Sequence, residues 1–328
     1  MHVCQDSFKV PAAEEPSTGN DCGHNGRFNM PLVPFKDIIA AADRGGYAVG
    51  YFESWNMESL QAVADASEST GSPVLLGFSG IFLNHSQRVV KEHLSVYASL
   101  GHEVCRRLKT PACLVYNESP HFEKVLEAIE LGFGLVMFSD ENLSFDEQAE
   151  RVSEIVATAH REGVAVEGEP MALPGVGGEL LLAPDDVNLT VPRIARTFVE
   201  RTGIDALAVN VGQVHLHGRS EVRLDLSRLT EIRQTMDVPL VLHGGSSISR
   251  EDLQAAIRLG VRKVNVSSVL KRAYLEALRL ALEELGDNFN PYQVIGSGLD
   301  EDVLVKGRLA SQKVVEDLMC LFGSAGKV

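Results

Sequence analysis

Eight short apolar runs, each followed by a longer amphipathic stretch, constrain this chain more than any other feature of its sequence. The runs are Tyr47–Phe52, Pro73–Ser79, Ala112–Asn117, Leu135–Ser139, Val164–Glu169, Ala206–Gly212, Pro239–Gly245 and Lys263–Ser268. Most are near-continuous in Val, Leu, Ala and Phe, the pattern of strands buried on both faces. Helical periodicity fills the gaps at Met57–Thr70, Gln87–Leu108, Phe122–Leu131, Phe145–Glu162, Pro192–Thr202 and Glu251–Leu259, and Gly71, Gly132, Gly163, Gly203 and Gly260 stand at helix ends. Strand–helix alternation of this length fits a closed (β/α)₈ TIM barrel. An open doubly wound sheet fits less well, because no glycine-rich phosphate motif follows the first run. Two further helical stretches, Leu270–Leu285 and Asp302–Leu321, are expected to close the barrel bottom or to build an oligomer contact.

Residues 1–30 read differently. Ala12–Gly26 is rich in Gly, Pro, Ser, Asn and acids, so this segment is expected to be an extension or arm without a core of its own, ahead of a barrel at 31–328. Its start has no apolar h-region, and no apolar run approaches the ~20 residues of a membrane span. The formal net charge of −15 opposes a nucleic-acid footprint. The five cysteines, Cys4, Cys22, Cys105, Cys113 and Cys320, are odd in number and scattered, which argues for reduced thiols rather than a disulfide or Cys-zinc framework. A cytoplasmic enzyme is the expectation.

Chemistry in a TIM barrel sits at the C-terminal ends of the strands. There the sequence places Glu53, Ser79, Asn117 and Glu118, Ser139 with Asp140 and Glu141, Glu167 and Glu169, Gly212 with His215, then His243 to Ser247, and Asn265, Ser267 and Ser268. Packing alone gives no reason for carboxylates and imidazoles at most strand tops. Two glycines after a buried strand, in His243-Gly-Gly-Ser-Ser, let backbone approach an anion closely, and the loops after strands seven and eight are the usual phosphate position of this fold. His215 and His243, on neighbouring strands, are expected to converge on one divalent ion with a carboxylate.

These residues together resemble the class II, metal-dependent ketose-bisphosphate aldolases. The resemblance runs from about Pro31 to Val328. It is carried by Tyr47-Ala-Val-Gly50, Phe122-Glu123, Val166-Glu-Gly-Glu169, Asp205 through His215, Val238-Pro-Leu-Val-Leu-His-Gly-Gly-Ser246, Val264-Asn-Val266 and the ending Leu321 to Lys327. It implies a TIM barrel, a homodimer or homotetramer, and a zinc ion that stabilises an enediolate of a phosphorylated substrate. By match, His215 and His243 would be metal ligands. Ser79, Gly212, Gly244, Gly245, Ser246, Ser267 and Ser268 would line the substrate and its phosphate, and Asn265 would touch the substrate.

The departures lie at the chemistry. Where the family expects His-Leu-Asp-His after strand three, this chain has Val115-Tyr-Asn-Glu118. Asn117 replaces the acid/base, and asparagine cannot carry a proton; losing such a group costs ~10²–10⁴ in rate. Glu118 in the third ligand position would complete a His₂Glu set. Asp140, Glu141 or Glu179 would then supply the base. The rival assignment makes Glu118 the base and completes the metal site with Glu167 or Glu169. The first expectation is a carbon–carbon lyase for a phosphorylated ketose or related sugar. A second is epimerisation, isomerisation or decarboxylation at the same ion. A third is a non-catalytic sugar-phosphate binder or accessory subunit.

Overall fold

In the computed structural model, which describes residues 32–171, 173, 188–214 and 221–328, eight parallel strands close into a barrel in sequential order. The chain runs α1 (Phe35–Gly45), β1 (Val49–Glu53), α2 (Met57–Thr70), β2 (Val74–Ser79), the one-turn α3 (Gly80–Leu83), α4 (Leu94–Arg107), β3 (Ala112–Ser119), α5 (Phe122–Glu130), β4 (Leu135–Phe138) and α6 (Phe145–Ala159). It continues with β5 (Ala165–Gly168), α7 (Pro192–Thr202), β6 (Ala206–Ala208), α8 (Leu226–Arg233), β7 (Leu240–Leu242), α9 (Arg250–Arg258), β8 (Val261–Val266), α10 (Ser268–Glu284), the short α11 (Pro291–Val294) and α12 (Val303–Phe322). The expected eight strands and the TIM barrel are therefore what forms. The expected arm at 1–30 lies outside the described residues.

Each strand buries both faces, which is why the runs read as continuously apolar. Val49, Tyr51, Leu75, Cys113, Val115, Leu135, Met137, Ala165, Ala206, Ala208 and Val241 fill the barrel interior, and Phe52, Leu76, Phe78, Leu114, Tyr116, Val136, Leu207, Leu242 and Val264 face the helical layer. Helix starts follow their side chains. Asn56 and Ser59 form a capping box on α2, and Ser144 with Glu147 forms one on α6.

The elements differ from the periodic pattern in five places. The floor of the barrel is closed by α1, whose Phe35, Ile38, Ile39 and Ala42 join the interior cluster. The two C-terminal helices instead belong to the outer wall, where α12 packs between α2 and α10. Helix α4 starts at Leu94 rather than Gln87, because Arg88 donates to the carbonyls of Phe82 and Val90, and His85 Nδ1 accepts from Gln87 N–H, folding that stretch into turns. The stretch to Glu162 ends as a 3₁₀ turn, His160–Glu162, after α6. Helix α8 buries only Leu229 and Ile232, too few apolar positions for its period to show. Buried Cys105 and Cys113 are core thiols without a disulfide; burial pushes the Cys105 thiol up to about 12, and Cys113 higher still.

Candidate active site

The chemistry-bearing residues gather at the C-terminal mouth because strand β3 breaks its own alternation. Along β3, Cys113 and Val115 point inward and Leu114 and Tyr116 outward, so Glu118 would face the helices. Between Tyr116 and Ser119, however, β3 spends three steps while β4 spends two, from Val136 to Phe138; one extra residue is a β-bulge. Glu118 takes a φ of 44°, the left-handed region that non-glycine residues rarely occupy, and it is the only described non-glycine residue to do so. The cost, about 1–3 kcal/mol, is met by what the turned side chain reaches.

It reaches a closed ring of buried polar groups. Glu118 Oε1 lies 3.0 Å from His243 Nδ1, and His243 Nε2 lies 2.7 Å from Glu167 Oε1. Glu167 Oε2 pairs with Lys263 Nζ at 2.7 Å. Lys263 Nζ also donates to Asn265 Oδ1 at 2.5 Å, Asn265 Nδ2 donates to Asn117 Oδ1 at 3.3 Å, and Asn117 Nδ2 donates back to Glu118 Oε2 at 2.9 Å. Strands β3, β7, β5 and β8 are thus tied across the mouth. Every member is buried; His243, Glu167 and Lys263 show no exposed surface at all.

Two carboxylates and two cations balance inside this ring. Burial disfavours the imidazolium of His243, but Glu118 and then Glu167 outweigh it and raise its pKa to about 10. Burial likewise works against an ionised Glu167, and Lys263 and His243 overcome it and hold its pKa below the ordinary carboxylate value. For Lys263 burial prevails over Glu167 and lowers its pKa.

The same contacts suit a divalent cation. Two ligands of a tetrahedral zinc stand about 3.3 Å apart at ordinary bond lengths. Glu118 Oε1 and His243 Nδ1, hydrogen-bonded at 3.0 Å, stand a few tenths of an ångström inside that separation, so an ion would replace the shared proton with a small outward shift of the carboxylate. Glu167, on the opposite ring nitrogen, sits where a carboxylate orients a metal-ligating imidazole from behind. Among the described residues no group of three or more His, Cys, Asp or Glu side chains is placed to hold an ion on its own. His215 and Glu179 lie outside the described residues.

The turn after β7 is built as a tight connection. Gly244 has a φ of 63°, and a side chain on Gly245 would meet Val264 Cγ1 at 2.6 Å and the carbonyl oxygen of Asn265 at 2.9 Å. Gly245 N–H is donated to that same carbonyl at 3.0 Å, and Gly212 N–H to Asn210 Oδ1 at 3.0 Å. Ser246 Oγ accepts from Val269 N–H at 3.3 Å, in the first turn of α10. Ser267 precedes α10 and Ser268 begins it. Ser79, in register with Asn117, is buried with its hydroxyl unpartnered among the described residues.

The remaining expected residues stand at the rim. Ser139 donates to Glu169 Oε1. Asp140 is half-buried and accepts from Asn142, while Glu141 is exposed; both line a side cavity of about 200 Å³ with Gln148 and Met171. On the other side, Lys271 Nζ pairs with Glu53 Oε1 at 2.5 Å and lies 3.9 Å from the centre of the Phe82 ring. Position at a strand end does not by itself point to Lys263 or Lys271. The signal for Lys263 was present: a lysine two positions before Asn265 in an apolar strand shares its inward face.

Known proteins share the fold and the family of this chain. The family described as fructose-bisphosphate aldolase class-II matches residues 33–327. The chain is similar to the YdjI aldolase of Escherichia coli K12, with 26% identity and a TM-score of 0.73 over 90% of this chain and 99% of that one. It is similar to a putative fructose-1,6-bisphosphate aldolase from Coccidioides immitis, with 26% identity and a TM-score of 0.72 over 89% and 97%. A fructose-bisphosphate aldolase from Campylobacter jejuni shares the fold at 19% identity, with a TM-score of 0.72 over 90% and 97%.

Proposed function

This chain belongs to the class-II fructose-bisphosphate aldolase family, whose members are carbon–carbon lyases, and from that premise we propose that it is a metal-assisted lyase for a phosphorylated ketose or a related sugar. The observation that carries the reading is the approach of Glu118 Oε1 to His243 Nδ1 with Glu167 behind the imidazole. Glu118, His243 and His215 would hold the ion, zinc or another divalent metal. Such an ion, when bound, polarises the substrate carbonyl.

The chain's own residues do the rest. Glu167 fixes the imidazole plane. Asn117 keeps Glu118 turned inward and carries no proton. Asn265 offers the substrate a polar edge beside Asn117. Ser79, Gly212, Gly244, Gly245, Ser246, Ser267 and Ser268 line the phosphate end. A carboxylate beyond the ring moves the proton: Glu169, Asp140, Glu141 and Glu179 are the candidates, and Glu169 is the most buried of those described. Self-association is supported by exposed Leu275, Leu282, Tyr292 and Leu309 near the C-terminal helices.

Purified protein supplied with zinc and a panel of ketose mono- and bisphosphates should release triose phosphate or aldehyde from at least one. No release from any of them overturns the reading. Asn117 favours one alternative, proton exchange without C–C cleavage, because the position that normally moves a proton is an amide. Deuterium uptake from solvent into intact sugar phosphate would identify it.

A further inference from the structure

Lys263 is used by none of the chemistry above, and it is the least expected residue in the barrel. Its neighbours in register are Val49 on β1 and Val241 on β7, both in the apolar interior. Its side chain rises past the ring of Tyr51, 5.1 Å from Nζ, to end between Glu167 Oε2 and Asn265 Oδ1. With no exposed surface it cannot touch a substrate. Stability does not explain it either: a buried ion pair is in general matched or bettered by apolar residues of the same volume.

What an apolar residue could not do is direct two arms, one joined to it by a hydrogen bond and the other by an ion pair. An ammonium only donates, and a carboxylate only accepts. Along one arm, Lys263 makes Asn265 present its oxygen. Asn265 must then offer its NH₂ to Asn117 Oδ1, and Asn117 its NH₂ to Glu118 Oε2. Along the other arm, Lys263 holds one oxygen of Glu167 and leaves the second for His243 Nε2. Both members of the Glu118–His243 pair hang from one ammonium. We propose that Lys263 is the positioning residue of the site, orienting Glu118 through the two amides and His243 through Glu167 toward a shared ligand. Only the identity of that ligand, a divalent cation, rests on the function proposed above.

The test is a double-mutant cycle of Lys263→Met, Glu167→Gln and the two combined, read as the affinity for zinc alone by chelator competition. The combined variant removes both buried charges and keeps the fold measurable if Lys263→Met alone unfolds. Lys263→Met is expected to bind zinc ~10–100-fold more weakly, the usual effect of removing an outer-layer partner. In the Glu167→Gln background the same change should cost much less, because one arm is already cut. In parallel, ¹⁵N spectra of the zinc-free proteins report the His243 ring, whose signals should move in Lys263→Met. Affinity within about twofold of the original, or an equal loss in both backgrounds, overturns the proposal. If the unaltered protein takes up no zinc, the proposed function fails instead, and the ¹⁵N comparison alone decides: unmoved His243 signals overturn the role of Lys263, and moved signals support it.

Discussion

The two halves of the barrel mouth are built by opposite rules. Across β3, β5, β7 and β8 the charges are fully buried, each carboxylate meets two or more donors, and the ring closes on itself. Across β1, β4 and α10 the charges stand as separate pairs at the rim, with Lys271 about a third exposed and Glu141 in solvent. Desolvation explains the difference. A buried charge without a partner costs several kcal/mol, so the inner half must be satisfied in one arrangement before any ligand arrives. At the rim Lys271, Asp140 and Glu141 retain water and are free to adjust, although Glu53 and Glu169 are buried. On the function proposed, the inner half would determine what can be held, and the rim would set which substrate is preferred.

The comparison breaks most decisively at His243. Removing its imidazole in His243→Ala leaves Glu118 and Glu167 facing a cavity without their shared donor. Breaking one partner of a buried charge cluster costs about 3–5 kcal/mol. Urea unfolding should show that loss together with loss of zinc binding; a variant as stable as the original would mean the ring is not charged as described.

A smaller effect follows from pH. Folding raises the His243 pKa from 6.5 to about 10. The folded protein thus keeps a proton that the unfolded chain releases near 6.5. The stability this proton supplies is complete below pH 6.5 and is lost as pH climbs through 10. Lys263, lowered by burial, works in the opposite sense. A one-unit shift is worth about 1.4 kcal/mol, so a fraction of this one is measurable. Zinc-free protein should lose stability between pH 6.5 and 10, and Glu118→Gln should flatten that slope.

Asn117→Asp is expected to act more weakly. The new carboxylate loses the amide donor to Glu118 Oε2 and sets two negative groups side by side. About 1–3 kcal/mol of stability should go with an unsatisfied buried pair, seen as a lower thermal midpoint and weaker zinc binding. An unchanged midpoint would show that Glu118 does not depend on its neighbour.

Which of these groups the sequence exposed depends on how far each contact reaches. The eight strands were legible because burial on both faces leaves continuous apolar runs. His243 and its glycines were legible because the turn that needs them is local. Glu118 could be marked as a strand-end carboxylate, but simple alternation sends it outward; the bulge that turns it back shows only in the pairing with β4. Its contact with His243 spans 125 residues, and that of His243 with Glu167 spans 76. Register across several strands decides such contacts, and no local pattern encodes it. Lys263 is legible in part: its place two residues before Asn265 puts both on one face, but the partners it meets there, Glu167 among them, depend on the closed barrel.

The smallest expected effect sharpens the division most. In Lys271→Met the stem that packs on Phe82 is largely kept, and what is lost is the ion pair with Glu53 and the contact of the ammonium with the ring. A partly exposed pair of this kind contributes about 1 kcal/mol or less, with a similar figure for an exposed cation–π contact. Denaturation should therefore shift only slightly. If the rim acts on substrate alone, KM for the preferred sugar phosphate should move several-fold while zinc affinity stays within about twofold. Should Lys271→Met weaken zinc as much as Lys263→Met does, the two halves of the mouth would be one coupled network, and the assignment of binding to one half and selectivity to the other would fall.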